Sequence, residues 1–176
     1  MMRKIAFFDR DGVINYDTGY THQYRPGIVI DSIYKIMKYF VNKNFEVFIV
    51  TNQSGIARGL YSTDDFHLFM NFLLRDLLNE GIEVSGYDFC QHLPIDNCLC
   101  RKPRPGMLLK ELKRKPVELE ECYMIGDSWT DLLAGRNAGI KKNILISKNF
   151  NSQYFTTKYE KVFADHSTLI KELYKE

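Results

Sequence analysis

The 176-residue chain contains no long apolar run, and Asp9, Arg10 and Asp11 end the first of its short hydrophobic stretches. A membrane-spanning helix needs about 20 apolar residues and a signal-peptide core about 7 to 15, so neither is expected. Neither sign of charge prevails, since 24 Lys and Arg face 22 Asp and Glu for a net charge of +2. The basic residues are scattered except at Arg101, Lys102 and Arg104, which argues against a general pull toward nucleic acid or an anionic membrane. Cysteine is scarce as well: four residues are too few for a disulfide scaffold, and three of them lie within eleven positions beside a histidine, a pattern that points to metal more than to oxidation. What the chain does have is 45% hydrophobic and 14% aromatic residues, enough for a sizeable core. The expectation is a single domain over residues 1–176, cytoplasmic and monomeric, with a small-molecule substrate and no nucleic-acid or membrane partner.

Strand and helix patterns alternate along the chain. Lys4 to Phe8 is a short apolar run ended by the polar string Asp9-Arg-Asp-Gly12, as in a strand buried on both faces. Asp31 stands where it can cap a helix bearing Ile33, Ile36, Met37, Phe40 and Val41 at helical spacing. Glu46 to Val50 is a second strand, and Ser62 and Asp65 resemble a capping box for a helix whose stripe runs Phe66, Phe69, Met70, Leu73, Leu74, Leu77 and Leu78 to Gly81. That stripe is read as core. Further strands are expected at Tyr87 to Cys90, Cys122 to Ile125, Asn143 to Ile146 and, as an edge, Lys161 to Ala164. Helices are expected from Pro105 to about Arg114, Thr130 to Gly139 and Ser167 to Tyr174, with a loose loop from Ser147 to Lys158. This rhythm implies an α/β fold, a Rossmann-like parallel sheet with helices on both faces and ligands bound at the carboxyl ends of its strands.

Four groups able to do chemistry follow those strands. Asp9 can attack phosphorus beside a tight Gly12 turn, and Asp11 can serve as general acid and then base, although two loop acids are ordinary by themselves. A calcium loop does not fit, because its glycine belongs at the sixth position and Gly12 is at the fourth. Thr51 and Asn52 can donate hydrogen bonds to phosphoryl oxygens, Lys102 can neutralise their charge, and Arg101 or Arg104 can grip another substrate group. Asp127 can complete an oxygen site for Mg²⁺, with Asp131 as a cap or tether. Cys90-x-His92 and Cys98-x-Cys100 offer a zinc-type ligand set, yet on spacing alone ordinary loop thiols remain equally open. Cys122, in an apolar strand, reads as a packed thiol.

Taken in order, Asp9-x-Asp11-Gly-Val, Thr51-Asn52, Lys102 and Gly126-Asp127 resemble the four motifs of the haloacid dehalogenase superfamily. Asp9-Arg-Asp-Gly-Val-Ile-Asn15, Gly19-Tyr-Thr-His22, Thr51-Asn-Gln-Ser-Gly-Ile-Ala-Arg-Gly59 and Cys100-Arg-Lys-Pro-x-Pro-Gly-Met107 are similar to the D-glycero-D-manno-heptose 1,7-bisphosphate 7-phosphatases. That resemblance implies a haloacid dehalogenase-like fold with a minimal cap formed by Asn15 to Ile30 and a zinc loop at about 90–104. It implies Asp9 as nucleophile, Asp11 as acid and base, and catalytic Mg²⁺ on Asp9, Asp11 and Asp127. It implies substrate contacts at Arg10, Asp17, Thr18, Gly19, Tyr20, Thr51, Asn52, Gln53, Ser54, Arg101 and Lys102, and structural Zn²⁺ on Cys90, His92, Cys98 and Cys100. The substrate would be a small sugar bisphosphate, the reaction a step toward nucleotide-activated heptose. Ser128 departs from the pattern, since many relatives carry Lys there.

Other readings compete. Histidinol phosphate suits the same chemistry. A phospho-aspartate receiver domain uses similar residues, but its accepting Asp ends the third strand, not the first. A nucleic-acid end phosphatase also uses a D-x-D-G string, but the charge balance and the lack of a long basic or aromatic groove speak against it.

Overall fold

The computed structural model describes residues 2–148 and 159–175. Its strands are β1 (Ile5–Phe8), β2 (Glu46–Asn52), β3 (Val84–Cys90), β4 (Tyr123–Gly126), β5 (Lys142–Ile146) and β6 (Glu160–Phe163). Its helices are α1 (Asp31–Asn42), α2 (Thr63–Asn79), α3 (Gly106–Leu112), α4 (Trp129–Asn137) and α5 (His166–Leu173). All strand pairs are parallel, in the order β3-β2-β1-β4-β5-β6.

The apolar runs are explained by burial on both faces. Ala6 and Phe8 of β1, with Val47 and Ile49 of β2, join the core beneath α1, α2 and α5. The alternate residues Ile5, Phe7, Phe48 and Val50 join a second core beneath α3 and α4. Period-two alternation therefore yields two apolar faces, and no polar residue fits in the central strand. Chain order runs outward from β1 to β2 and β3, then returns to β4 on the other side of β1. The carboxyl ends of β1 and β4 thus flank the switch point where such sheets bind ligands.

Several expected boundaries shift. β3 begins at Val84, earlier than the strong pattern at Tyr87, because Ser85 and Gly86 hide its start; a Cβ on Gly86 would lie 2.8 Å from Phe48 Cε2, and the register shifts beside it. Ile30, not Asp31, is the N-cap of α1; Asp31 lies in the first turn without a side-chain cap bond, still well placed toward the helix dipole. Leu78 is 59% exposed and leaves the α2 stripe, whereas Ser62 and Asp65 form the expected capping box. β6 pairs with β5 and ends before Asp165, which caps α5. The expected loop from Ser147 to Lys158 falls almost wholly outside the described residues. Among the described residues no helix is long and apolar enough to cross a membrane.

Candidate active site and metal centre

Asp9 follows β1 directly and is held in register by its backbone N–H, which donates to Ile125 O of β4 at 2.8 Å. The ammonium of Lys102 reaches it from the loop between β3 and α3. Lys102 Nζ lies 2.7 Å from Asp9 Oδ1, 2.6 Å from Asp131 Oδ1 and 2.9 Å from Val50 O, so three oxygens surround an ion that is 3% exposed. Asn52 places that lysine: its side chain accepts from Lys102 N at 3.1 Å and donates to Lys102 O at 3.2 Å. The Asn52 side chain is therefore engaged with protein backbone, and Thr51 is the member of the pair with a hydroxyl in the site.

Asp11 is gripped by three side chains. Arg10 donates to it through Nε at 3.1 Å and Nη2 at 2.8 Å, Asn15 Nδ2 at 2.9 Å and Gln53 Nε2 at 2.8 Å. Arg10 itself is fully buried, its guanidinium 4.5 Å from the Phe69 ring centroid and donating to Thr21 O at 2.6 Å. Its side chain thus serves Asp11 and the core from a fully buried position. Gln53 is likewise buried, and it also donates to Thr51 Oγ1 at 2.8 Å. Because Thr51 accepts there, its own hydroxyl hydrogen can turn to another oxygen.

Asp9, Asp127 and Asp131 bring carboxylate oxygens within 4.8 Å of one another. Asp131, read from sequence only as a cap or tether, does cap: its Oδ2 accepts from Ser128 N at 3.0 Å while Oδ1 faces Lys102. Ser128 N-caps α4, accepting from Thr130 N at 3.3 Å. Gly12, at φ +82°, lets the loop pass Asp127; a Cβ there would overlap Asp127 Oδ2. Burial, with repulsion from Asp131, pushes the Asp127 carboxyl up to about 7. Burial also raises Asp9 well above the carboxylate range, opposed by Lys102 and reinforced by Asp131 and Asp127. Burial alone would lower Lys102, but Asp131 and Asp9 outweigh it and hold the ammonium above its usual value. Three acids around one ammonium leave excess negative charge, which fits a hard divalent cation bound through one or two carboxylates.

The expected substrate loop is an excursion from a paired base: Tyr16 N donates to Ile28 O and Ile30 N to Ile14 O. No domain is inserted there, so the cap is minimal. Asp17 accepts from Gly19 N at 2.8 Å, Thr18 N donates to Thr21 Oγ1 at 3.0 Å, and Tyr20 takes a left-handed φ of 52°. Thr21 O of this loop accepts from Arg10 Nη2 at 2.6 Å, which ties the loop to the side chain that holds Asp11. Ser54 is half-buried in the turn after β2, and its carbonyl accepts from Arg58 N. Arg101 donates to His92 O at 3.3 Å, on the neighbouring loop.

That loop gathers the four expected metal ligands. Cys90 Sγ is 3.5 Å from Cys98 Sγ and 3.6 Å from His92 Nδ1, and Cys100 Sγ is 3.4 Å from Cys98 Sγ and 3.3 Å from His92 Nδ1. A tetrahedral zinc with bonds near 2.3 Å to sulfur would set its sulfurs about 3.8 Å apart, so the set fits with small outward shifts. Arg104 braces the loop by donating to Cys98 O at 2.7 Å. Cys90 closes β3, and its carbonyl accepts from Gln53 N at 2.7 Å, which joins the cysteine cluster to the turn after β2.

The HAD-hydrolase-like family model matches residues 99–162. A D-glycero-beta-D-manno-heptose-1,7-bisphosphate 7-phosphatase of Helicobacter pylori strain J99 is 41% identical over 147 residues, covering 83% of this chain and 84% of that protein. A D-glycero-alpha-D-manno-heptose-1,7-bisphosphate 7-phosphatase of Campylobacter jejuni is 38% identical over 84% of this chain and 85% of its own. The crystal structure of D,D-heptose 1,7-bisphosphate phosphatase from B. bronchiseptica, complexed with magnesium and phosphate, superposes with a TM-score of 0.82 at 30% identity and covers 97% of each chain. The chain belongs to the D-glycero-D-manno-heptose-1,7-bisphosphate 7-phosphatase family of haloacid dehalogenase-like hydrolases, and is with them a phosphoric monoester hydrolase rather than a receiver domain.

Proposed function

We propose that the chain removes the C7 phosphate of D-glycero-D-manno-heptose 1,7-bisphosphate through an aspartyl phosphate on Asp9, with Mg²⁺ at the catalytic centre and Zn²⁺ as a structural clip. The observation that carries the reading is the buried Asp9–Lys102 ion pair at the end of the central strand, with Asp11 two residues on and Asp127 at the neighbouring strand end.

Mg²⁺ would be held by Asp9, Asp127 and the backbone carbonyl of Asp11, and when bound it supplies charge neutralisation to phosphoryl oxygens. Lys102 engages Asp9 through Oδ1, so attack on phosphorus falls to Oδ2. As that bond forms, the bond from phosphorus to the C7 oxygen breaks, and Asp11 gives its proton to the departing oxygen. Heptose 1-phosphate leaves. Asp11, now a carboxylate, takes a proton from water as the water oxygen attacks phosphorus; the bond to Asp9 breaks and orthophosphate is released. The Thr51 hydroxyl and the Lys102 ammonium steady the phosphoryl oxygens, Arg101 and the loop from Asp17 to Tyr20 hold the sugar phosphate, and backbone groups of Arg10 and Ser54 complete the cradle. Cys90, His92, Cys98 and Cys100 would fix zinc with no open position, keeping Arg101 and Lys102 in place.

The setting we infer is the cytoplasm, with the chain working as a monomer on a small sugar bisphosphate, without nucleic acid or membrane, on the way to nucleotide-activated heptose. The test is phosphate release from both anomers of heptose 1,7-bisphosphate and from histidinol phosphate in Mg²⁺. A strong heptose preference that vanishes in a folded Asp9→Asn protein is expected. A histidinol-phosphate preference would move the enzyme to another pathway, and turnover surviving in Asp9→Asn would remove the nucleophile.

A further inference from the structure

Behind Asp11 lies a chain of contacts that the phosphoryl chemistry does not use. Tyr61, 7% exposed, donates its hydroxyl to Gln53 Oε1 at 2.5 Å, and Gln53 turns its amide nitrogen to Asp11 Oδ2 and Thr51 Oγ1, each at 2.8 Å. An amide can present either end to a carboxylate, and only the nitrogen end is attractive. The Tyr61 hydroxyl and Arg10 Nη2, which reaches the same Oε1 at 3.4 Å, are donors that force the oxygen away from Asp11. On its other side the Tyr61 ring stacks on His22, with ring centroids 4.8 Å apart and planes 7° from parallel. His22 Nδ1 donates to Tyr20 O at 2.8 Å, and Tyr20, at φ 52°, lies on the excursion between Tyr16 and Ile28. Gly55 leaves room for the ring, since a Cβ there would overlap Tyr61 Cε1.

We propose that Tyr61 and Gln53 are positioning residues for the Asp11 carboxylate, and that His22 ties the loop carrying Tyr20 to them, so that seating the substrate loop and aiming the acid and base are one event. The inference rests on the assignment of Asp11 in the reading above. Tyr61 touches neither substrate nor the reacting atoms; it acts through Gln53. Its ring fills space whether or not the hydroxyl is present, which separates packing from positioning.

Tyr61→Phe keeps the ring and the His22 stack and deletes one donor. The expected result is a kcat about tenfold lower, the loss of roughly one neutral hydrogen bond's worth of orientation, with KM and melting temperature nearly unchanged. In a Gln53→Leu background the same substitution should cost nothing further, because the hydroxyl has lost the group through which it acts. His22→Ala should raise KM as well as lower kcat, since it frees the Tyr20 loop. Wild-type kcat in Tyr61→Phe, beside an inactive Asp11→Asn, overturns the relay and leaves the proposed function standing. An undiminished loss in the Gln53→Leu background also overturns it, by showing that Tyr61 acts elsewhere. Turnover surviving in Asp11→Asn overturns the assignment of Asp11, and the relay with it.

Discussion

Lys102 Nζ and Asp9 Oδ1 lie 2.7 Å apart although 93 positions separate the two residues, and the pair is almost fully enclosed by protein. Such a pair is weak evidence for stability, because both ions lost their hydration to form it. Breaking it on one side is another matter.

Lys102→Met should destabilise the chain by about 3–5 kcal/mol at neutral pH without added metal, since it strands buried carboxylates beside one another. Adding Asp131→Asn removes one of those charges, so the double variant should unfold at a higher urea concentration than Lys102→Met alone. A double variant no more stable than the single one would show that Asp131 and Lys102 are not coupled.

Gly12 and Gly19 offer a matched pair of backbone tests. Both have φ near +80°, but a Cβ on Gly19 meets nothing within 4 Å whereas one on Gly12 runs into Asp127. Gly19→Ala should cost about 1–2 kcal/mol of stability through the left-handed backbone. Gly12→Ala should cost more and also weaken Mg²⁺ binding, read by titrating activity with the metal. Equal effects on both readouts would mean that the approach to Asp127 does not matter.

The cysteine cluster leads to a metal prediction. Carefully purified protein should hold about one zinc per chain, and Cys98→Ser should lose it. Because Gln53 N is bonded to Cys90 O and Arg101 to His92 O, loss of the clip should raise KM several-fold before it lowers kcat. Zinc-free wild-type protein with full activity in Mg²⁺ would remove zinc from the account.

His166 provides a pH test away from the phosphoryl site. It is 9% exposed, donates Nε2–H to Val13 O at 2.9 Å, and is held below its ordinary value of 6.5 chiefly by burial. The unfolded chain therefore binds this proton more readily than the folded one, so stability from this group is complete above about 6.5 and falls as pH drops below it. His166→Gln should flatten that part of the urea-midpoint profile between pH 7 and 5. A profile unchanged by the substitution would assign the acid sensitivity to other groups.

The order of the strands' chemistry was legible because each motif follows a short apolar run: Asp9 after β1, Thr51 at the end of β2, Gly126 and Asp127 at the end of β4. β3 was half hidden, since Ser85 and Gly86 break the apolar pattern while Phe48 fills the space a side chain would need. Within the motifs, the direction of each side chain was not legible. Arg10 lies between two acids, and nothing local shows that its side chain packs on Phe69 and holds Asp11. Nor does spacing show that the Asn52 side chain holds the Lys102 backbone and that of Gln53 holds Asp11. Tyr61 carried no signal at all beyond being an aromatic residue near a glycine-rich turn.

By itself the sequence determined the alternation of buried strands and amphipathic helices, the ordered acids, hydroxyl and lysine, and the paired Cys-x-His and Cys-x-Cys, because periodicity and spacing are local properties of a chain. Only the tertiary structure decided that β4 returns to the open side of β1, which brings Asp127 and Asp131 to Asp9, and that Lys102 crosses to meet them. Those meetings depend on which strands pair and which donors a buried charge must find, and both are settled by the burial of the whole chain rather than by any stretch of it.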